Sequence, residues 1–202
     1  MSTVDEAVAA IRAGEPVVLP FDTVYGLAAD ASSEAPVRRL YELKGREMTQ
    51  PTALVARDVD YLLECVPELR GHAVTMARDL LPGPYTLIFP NPAHRFRWLT
   101  GANNDAIGVR VPALTGPGAE VISRVGAVVA TSANHRDEPD PATIDEVPED
   151  IRAGAAAVVD GGRLPGAPST VLDLTGAEPR VLRAGPNAAE ALRRLGSPVR
   201  SS

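Results

Sequence analysis

The segment YELKGREMTQP, residues 41–51, holds the only lysine of the chain: of 20 Lys and Arg side chains, every one but Lys44 is arginine. Arg46 stands two residues further on, and Gly45 between them lets the backbone turn. An ammonium is a point charge that can swing onto several phosphate oxygens, whereas a guanidinium presents a planar fork. The pair therefore reads either as a phosphate-binding couple or as a solvated pair complementing a helix dipole. ATSAN at 130–134 places the Ser132 hydroxyl and the Asn134 amide on a turn, within reach of a polar ligand or of their own backbone. STV at 169–171 adds the hydroxyls of Ser169 and Thr170, or is a plain strand start. Arg110 sits inside the apolar stretch GVRVP, where burial demands an anionic partner, either a ligand carboxylate or an internal Asp or Glu. Arg183 in RVLRAGP follows the same logic, or lies at a strand end facing water.

Several familiar devices are missing from the sequence. Lys44 follows Leu43 and precedes Gly45, so it belongs to no G-x-x-x-x-G-K-[ST] loop, and no G-x-G-x-x-G opens a helix. Neither H-E-x-x-H nor G-x-S-x-G occurs. Any phosphate bound here must be held by separate side chains. His72, His94 and His135 are scattered and read as structural or surface residues; no Cys/His cluster predicts a metal site. Cys65, the single cysteine, follows Leu62 and Leu63 and reads as a small core residue.

The elements that must position these groups can be read from caps and periodicity. Thr3 and Glu6 have capping-box spacing ahead of the stripe Val4, Ala7, Val8 and Ile11, and Gly14 ends that helix. PVVLP is a buried strand, and FDTVYGLAADA reads as a loop with Gly26 as its flexible point. A helix from Pro36 to Leu43 ends at Gly45, TALVA is a strand, and Asp58 caps a short helix to Leu63. A further helix covers Leu69 to Leu81, and Pro82 and Pro84 turn the chain into a strand at 85–89. AIGVRV is a strand, GPGAEVISRV a helix and AVVATS a strand. The polar, proline-rich stretch 133–143 is expected to be an exposed loop able to close over a ligand. AAAVVD, STVLDL and RVL are short strands, 188–195 is an amphipathic helix, and residues 196–202 form a frayed tail. Irregular interleaving of strands and helices, with strand pairs near the C-terminus, predicts an α/β fold of mixed, α+β-like type. One domain is expected, 1–202 with a core over about 5–195, built on a twisted mixed sheet flanked by helices.

Composition narrows the function classes. Hydrophobic residues make up 45% and aromatics only 4%, so Ala, Val and Leu must fill the core. A net charge of −6 disfavours a strong non-specific hold on a nucleic-acid backbone and leaves room for a local basic pocket. No run reaches the roughly 18 apolar residues of a membrane helix. The opening MSTVDEAVAA does not read as a signal peptide, so a soluble cytoplasmic protein with no membrane contact is expected.

Taken in order, LPFDTVYGLAADA, KGR, LLPGPYTLI, VRVP, TSAN with its downstream PAT, STV and VLRAG resemble the YrdC family, from about residue 5 to 185. The resemblance implies the short stand-alone form of a threonylcarbamoyl-AMP synthase, a nucleotidyltransferase, whose sheet carries an open central cavity. It implies L-threonine, bicarbonate and ATP as substrates, with Mg2+ on the phosphates. Downstream tRNA threonylcarbamoyl-transfer proteins would be partners, and a weak RNA contact is also implied. Carried onto this chain, Lys44, Arg46, Ser132, Asn134 and Arg183 would hold ATP, with Lys44 and Arg46 as the catalytic pair. Thr23, Arg110, Ser169 and Thr170 would hold threonine. The alternatives are a YrdC-like paralogue that binds a nucleotide or another carbamoyl compound, and a double-stranded RNA-binding module. The chain departs from the family pattern at Glu47, Thr52, His135–Asp137 and Asp140, and no histidine follows Thr52 where many members have one. These departures bear on the substrate more than on the fold.

Overall fold

Side-chain alternation sorts the sheet of this protein into two unlike faces. In the computed structural model, which describes residues 1–196, one row of cross-strand neighbours runs Ala29–Val129–Leu54–Val109–Leu87–Leu172. All six are fully buried under helices. Each leucine of that row contributes about 1.5–3 kcal/mol relative to exposure. Stepping one residue along each strand gives the opposite row, Ala130–Ala53–Gly108–Ile88–Asp173, whose side chains are mostly small.

The chain opens with α1 (Val4–Arg12), β1 (Val17–Pro20), β2 (Tyr25–Asp30) and α2 (Glu34–Lys44). Next come β3 (Ala53–Ala56), α3 (Val59–Cys65), α4 (His72–Leu80), β4 (Tyr85–Pro90) and β5 (Ala106–Arg110). Then follow α5 (Gly116–Val125), β6 (Ala127–Ser132), a 3-10 turn (Ile144–Glu146), α6 (Glu149–Gly154) and β7 (Ala157–Val158). The last elements are β8 (Thr170–Asp173), β9 (Arg180–Arg183) and α7 (Ala188–Arg194). The strands form one mixed sheet in the order β7-β1-β2-β6-β3-β5-β4-β8-β9.

Helix coverage of the two faces is unequal. Leu40 and Tyr41 of α2, Leu62 of α3 and Leu80 of α4 pack on the large-residue face in the main core. On the other face α1 and α5 pack on each other and on β1, β2, β6 and β7 through Ala7, Val8, Ile11, Val121 and Ile122. That second core stops short of β5, β4, β8 and β9, and this uncovered part of the face, together with Ala53 and Ala130 on the neighbouring β3 and β6, is the floor of a cavity.

Most elements lie where capping and periodicity put them, including the Thr3–Glu6 capping box and the Asp58 cap of α3. Three expectations need correction. Residues 25–30 are a strand, not loop: β2 is buried between β1 and β6, so the alternation that marks a half-exposed strand is absent. Gly26 serves contact rather than flexibility, because a Cβ there would lie 2.6 Å from the Phe21 ring folded across the strand. The stretch 133–143 is exposed only at 136–139; Ala133, Asn134 and Ala142 are buried, and the Pro141 carbonyl accepts from Tyr25 N at 2.8 Å. The 3-10 turn and α6 were not expected, although Thr143 and Glu146 repeat the capping spacing of Thr3 and Glu6. Of the expected frayed tail, residues 197–202 lie outside the described residues.

Candidate active site

The uncovered half-sheet encloses a cavity of about 500 Å³. Ala53, Gly108 and Ala130 make its floor, because only small side chains on these strands leave room above the sheet, and the Phe21 ring over Gly26 borders it. Gly108 decides much of that room: a Cβ there meets Thr52 and Ala53 at 3.5–3.8 Å, ordinary contact distances. Gly108→Ala is therefore expected to fold with a melting temperature within a few degrees of wild type. It should weaken ligand binding in the cavity by at least about tenfold, read by calorimetry.

Cations stand on opposite sides of this floor. Arg110 ends β5 beside Val55 of β3, and burial pulls its guanidinium below the usual value, with Asp22 opposing and Arg183 adding to the shift. Its Nη2 donates to the Asp22 carboxylate and to Thr23 Oγ1 at 2.9 Å; its Nε is buried without a partner. The anionic partner demanded by the sequence is thus internal. Arg183 approaches from β9, where its Nη2 donates to Ser169 Oγ at 2.9 Å and its Nε to the Ser169 carbonyl at 3.0 Å. Ser169 Oγ in turn lies 3.0 Å from Thr86 Oγ1. Thr23, Arg110, Ser169 and Arg183 therefore converge on one side of the cavity, so Arg183, expected among the ATP-binding residues, stands with those expected to hold threonine.

Arg46 faces the other side, together with Ser132 and Asp140. Its guanidinium lies 5.3 Å from the centre of the Tyr41 ring, donates to Thr131 Oγ1 at 3.0 Å and to the Pro51 carbonyl, and has a buried Nε without a partner. Lys44 does not line the cavity. Its Nζ donates to the Ser132 carbonyl at 2.5 Å, the Asn134 carbonyl at 2.8 Å and Asn134 Oδ1 at 3.0 Å. Burial, with Arg46 second, holds the Lys44 ammonium down to about 8, while Asp140 pulls it upward. Asn134 is likewise enclosed, for its Oδ1 also accepts from Ser132 Oγ and its Nδ2 donates to Glu138 O and Asp140 Oδ1. Both residues shape the turn that carries Ser132 rather than facing the cavity themselves.

Thr170 needs a clear correction. Alternation along β8 turns it away from Ser169 and Val171, and its buried Oγ1 accepts from Gly185 N at 3.2 Å. Of the departures from the family pattern, Glu47 is exposed and accepts from Thr49 at 3.1 Å, away from the cavity lining. Thr52 lines the cavity with its hydroxyl donated to the Ala130 carbonyl at 2.9 Å, and Asp140 lines it as a carboxylate. The sequence reading missed Asp22, Thr86, Thr131 and Asp140 as site residues. Alternation with Ile88 was the available signal for Thr86, and nothing local singled out Asp22.

The Sua5_yciO_yrdC family model, described as "Telomere recombination", matches residues 9–185. The chain belongs to this family. A threonylcarbamoyl-AMP synthase of Pyrococcus abyssi is 35% identical over 176 residues, covering 87% of this chain and 52% of that protein. One from Xanthomonas oryzae pv. oryzae is 34% identical over 162 residues, covering 79% of this chain and 86% of the relative. The crystal structure of P. abyssi Sua5 complexed with L-threonine superposes with a TM-score of 0.86 at 33% identity, over 96% of this chain and 57% of the other. This Sua5/YciO/YrdC chain thus spans about half of the Pyrococcus protein and most of the Xanthomonas one. Its mixed sheet with helices on both faces is the architecture it shares with the Pyrococcus structure.

Proposed function

We propose that this protein is a threonylcarbamoyl-AMP synthase, joining L-threonine, bicarbonate and ATP into threonylcarbamoyl-AMP and pyrophosphate for tRNA modification. The observation that carries the reading is the lining of the cavity: two partly buried guanidiniums, Arg46 and Arg110, each with a buried, unpartnered Nε, across a floor of small residues. Threonine and bicarbonate combine, with loss of water, to a carbamate. A carbamate oxygen attacks the α-phosphorus of ATP, and pyrophosphate leaves. Such a reaction needs positioned cations and hydroxyls more than a catalytic base. Arg110, with Thr23, Ser169 and the nearby Arg183, would receive the threonine end. Arg46 and Ser132, the latter held by Lys44 and Asn134, would receive phosphates.

Among the described residues no group of three or more His, Cys, Asp or Glu gathers to cage a metal ion. Magnesium carried on a nucleotide takes one or two carboxylates plus phosphate oxygens. Asp140, beside Ser132 in the cavity lining, fits that donor set and would hold the ion, which would neutralise triphosphate charge. The adenylate is labile and would pass to downstream tRNA-modifying transfer proteins. Among the described residues no helix is long and apolar enough to cross a membrane.

The test is incubation with ATP, magnesium, bicarbonate and labelled threonine. Pyrophosphate release is expected to require both threonine and bicarbonate, with label appearing in an adenylate. ATP turnover indifferent to threonine would end this reading in favour of a paralogue acting on another compound.

A further inference from the structure

We infer that Asp22 is a positioning residue that fixes the Arg110 guanidinium so that its free edge meets a ligand carboxylate. The inference rests on the functional reading above, which places threonine against Arg110. Asp22 does not line the cavity, and its side chain is only 8% exposed. It grips Arg110 from behind. Oδ1 accepts from Nη2 of Arg110, and Oδ2 accepts from Ala113 N at 3.0 Å, on the segment leaving β5. Nη2 also donates to Thr23 Oγ1 at 2.9 Å, so both its hydrogens go to fixed acceptors on adjacent residues. Nη1 makes no hydrogen bond among the described residues.

A planar guanidinium held through one terminal nitrogen by two acceptors loses its freedom to swivel, which leaves the other nitrogen aimed. The hold is needed because Arg183 lies near enough to repel Arg110. Thr23 is itself tied down, its carbonyl accepting from Gly166 N at 2.9 Å. Aspartate reaches Arg110 and Ala113 N together, from the same turn that presents Thr23.

Two physical effects of Asp22 oppose each other, and their signs make the idea testable. As a charge, Asp22 cancels Arg110, so removing it should tighten an anionic ligand. As an anchor, its removal frees the guanidinium and should loosen that ligand. The geometry points to the second effect, because the ion pair is buried and the hydrogen bonds are directional.

Calorimetry with threonine and with a non-hydrolysable ATP analogue, on wild type, Asp22→Asn, Arg110→Gln and the double variant, decides the matter. Asp22→Asn is expected to weaken threonine about 10–50-fold while leaving the nucleotide within about twofold. The double variant should bind threonine no worse than Arg110→Gln alone, since Asp22 acts only through Arg110. Threonine bound equally or more tightly by Asp22→Asn, or additive losses in the double variant, would overturn the inference alone. If Asp22→Asn fails to fold, the double variant, which removes both buried charges, still decides by comparison with Arg110→Gln: equal affinity supports the anchor and weaker affinity overturns it. A wild-type protein that binds no threonine would overturn the functional reading, and this inference with it.

Discussion

Arg110→Ala is expected to lower the unfolding free energy by about 3–5 kcal/mol, a larger loss than its contacts with any ligand would suggest. The reason lies behind the cavity. The Asp22 side chain is almost wholly buried, and among the described residues its only partner apart from Arg110 is the Ala113 amide. Truncating Arg110 leaves that carboxylate desolvated and unpaired, the costly way to break an ion pair. The same change should weaken threonine binding by about 2–4 kcal/mol, the scale for losing a desolvated charge partner. Urea denaturation separates the two effects. Arg110→Ala combined with Asp22→Ala should recover part of the stability and none of the threonine affinity. If Arg110→Ala unfolds at the wild-type urea midpoint, the pair is solvated and the account of Arg110 as a buried anchor fails.

How much of this site could be read in the sequence depended on whether the signal was local. Arg110 stood out because a guanidinium inside GVRVP has to be explained, and the inference that it needs an anion was physically complete. Which anion was not readable, because Asp22 lies 88 positions away and meets it only once the sheet has formed. The cavity floor was equally hidden. Gly108 and Ala53 are neighbours through register, and neither AIGVRV nor TALVA shows that its small residues fall on one row. Local capping did survive: Thr3, Asp58 and Gly45 end or begin helices where their chemistry says they should. Thr170 shows the limit of treating a motif as a unit. Ser169 and Thr170 are adjacent hydroxyls in STV, but a strand turns successive side chains to opposite faces, so at most one of them reaches the ligand side.

Lys44→Arg is expected to slow adenylate synthesis about 10–100-fold, equivalent to roughly 1.4–2.7 kcal/mol of transition-state stabilisation. The cause is not the one that the phosphate chemistry of KGR first suggests. Three acceptors, the carbonyls of Ser132 and Asn134 and the Asn134 side-chain oxygen, converge on one nitrogen, each within 3.0 Å. An ammonium has three hydrogens around a single centre and can serve all of them. A guanidinium is longer and spreads its donors over a plane, so it cannot place them at one point without displacing the turn. That turn carries Ser132 into the cavity, and Arg46 follows two residues later, so disturbance at Lys44 reaches the Arg46 side of the cavity, where phosphates are proposed to bind, indirectly. The two accounts of Lys44 part company in the absence of ATP. If the ammonium served only bound phosphate, the substitution would leave the free protein as stable as wild type. As a clasp on residues 132–134, it should cost the free protein about 1–3 kcal/mol, the price of leaving buried acceptors unmet. Thermal unfolding without nucleotide makes the distinction, and an unchanged melting temperature together with reduced ATP affinity would return Lys44 to a direct role on the phosphates.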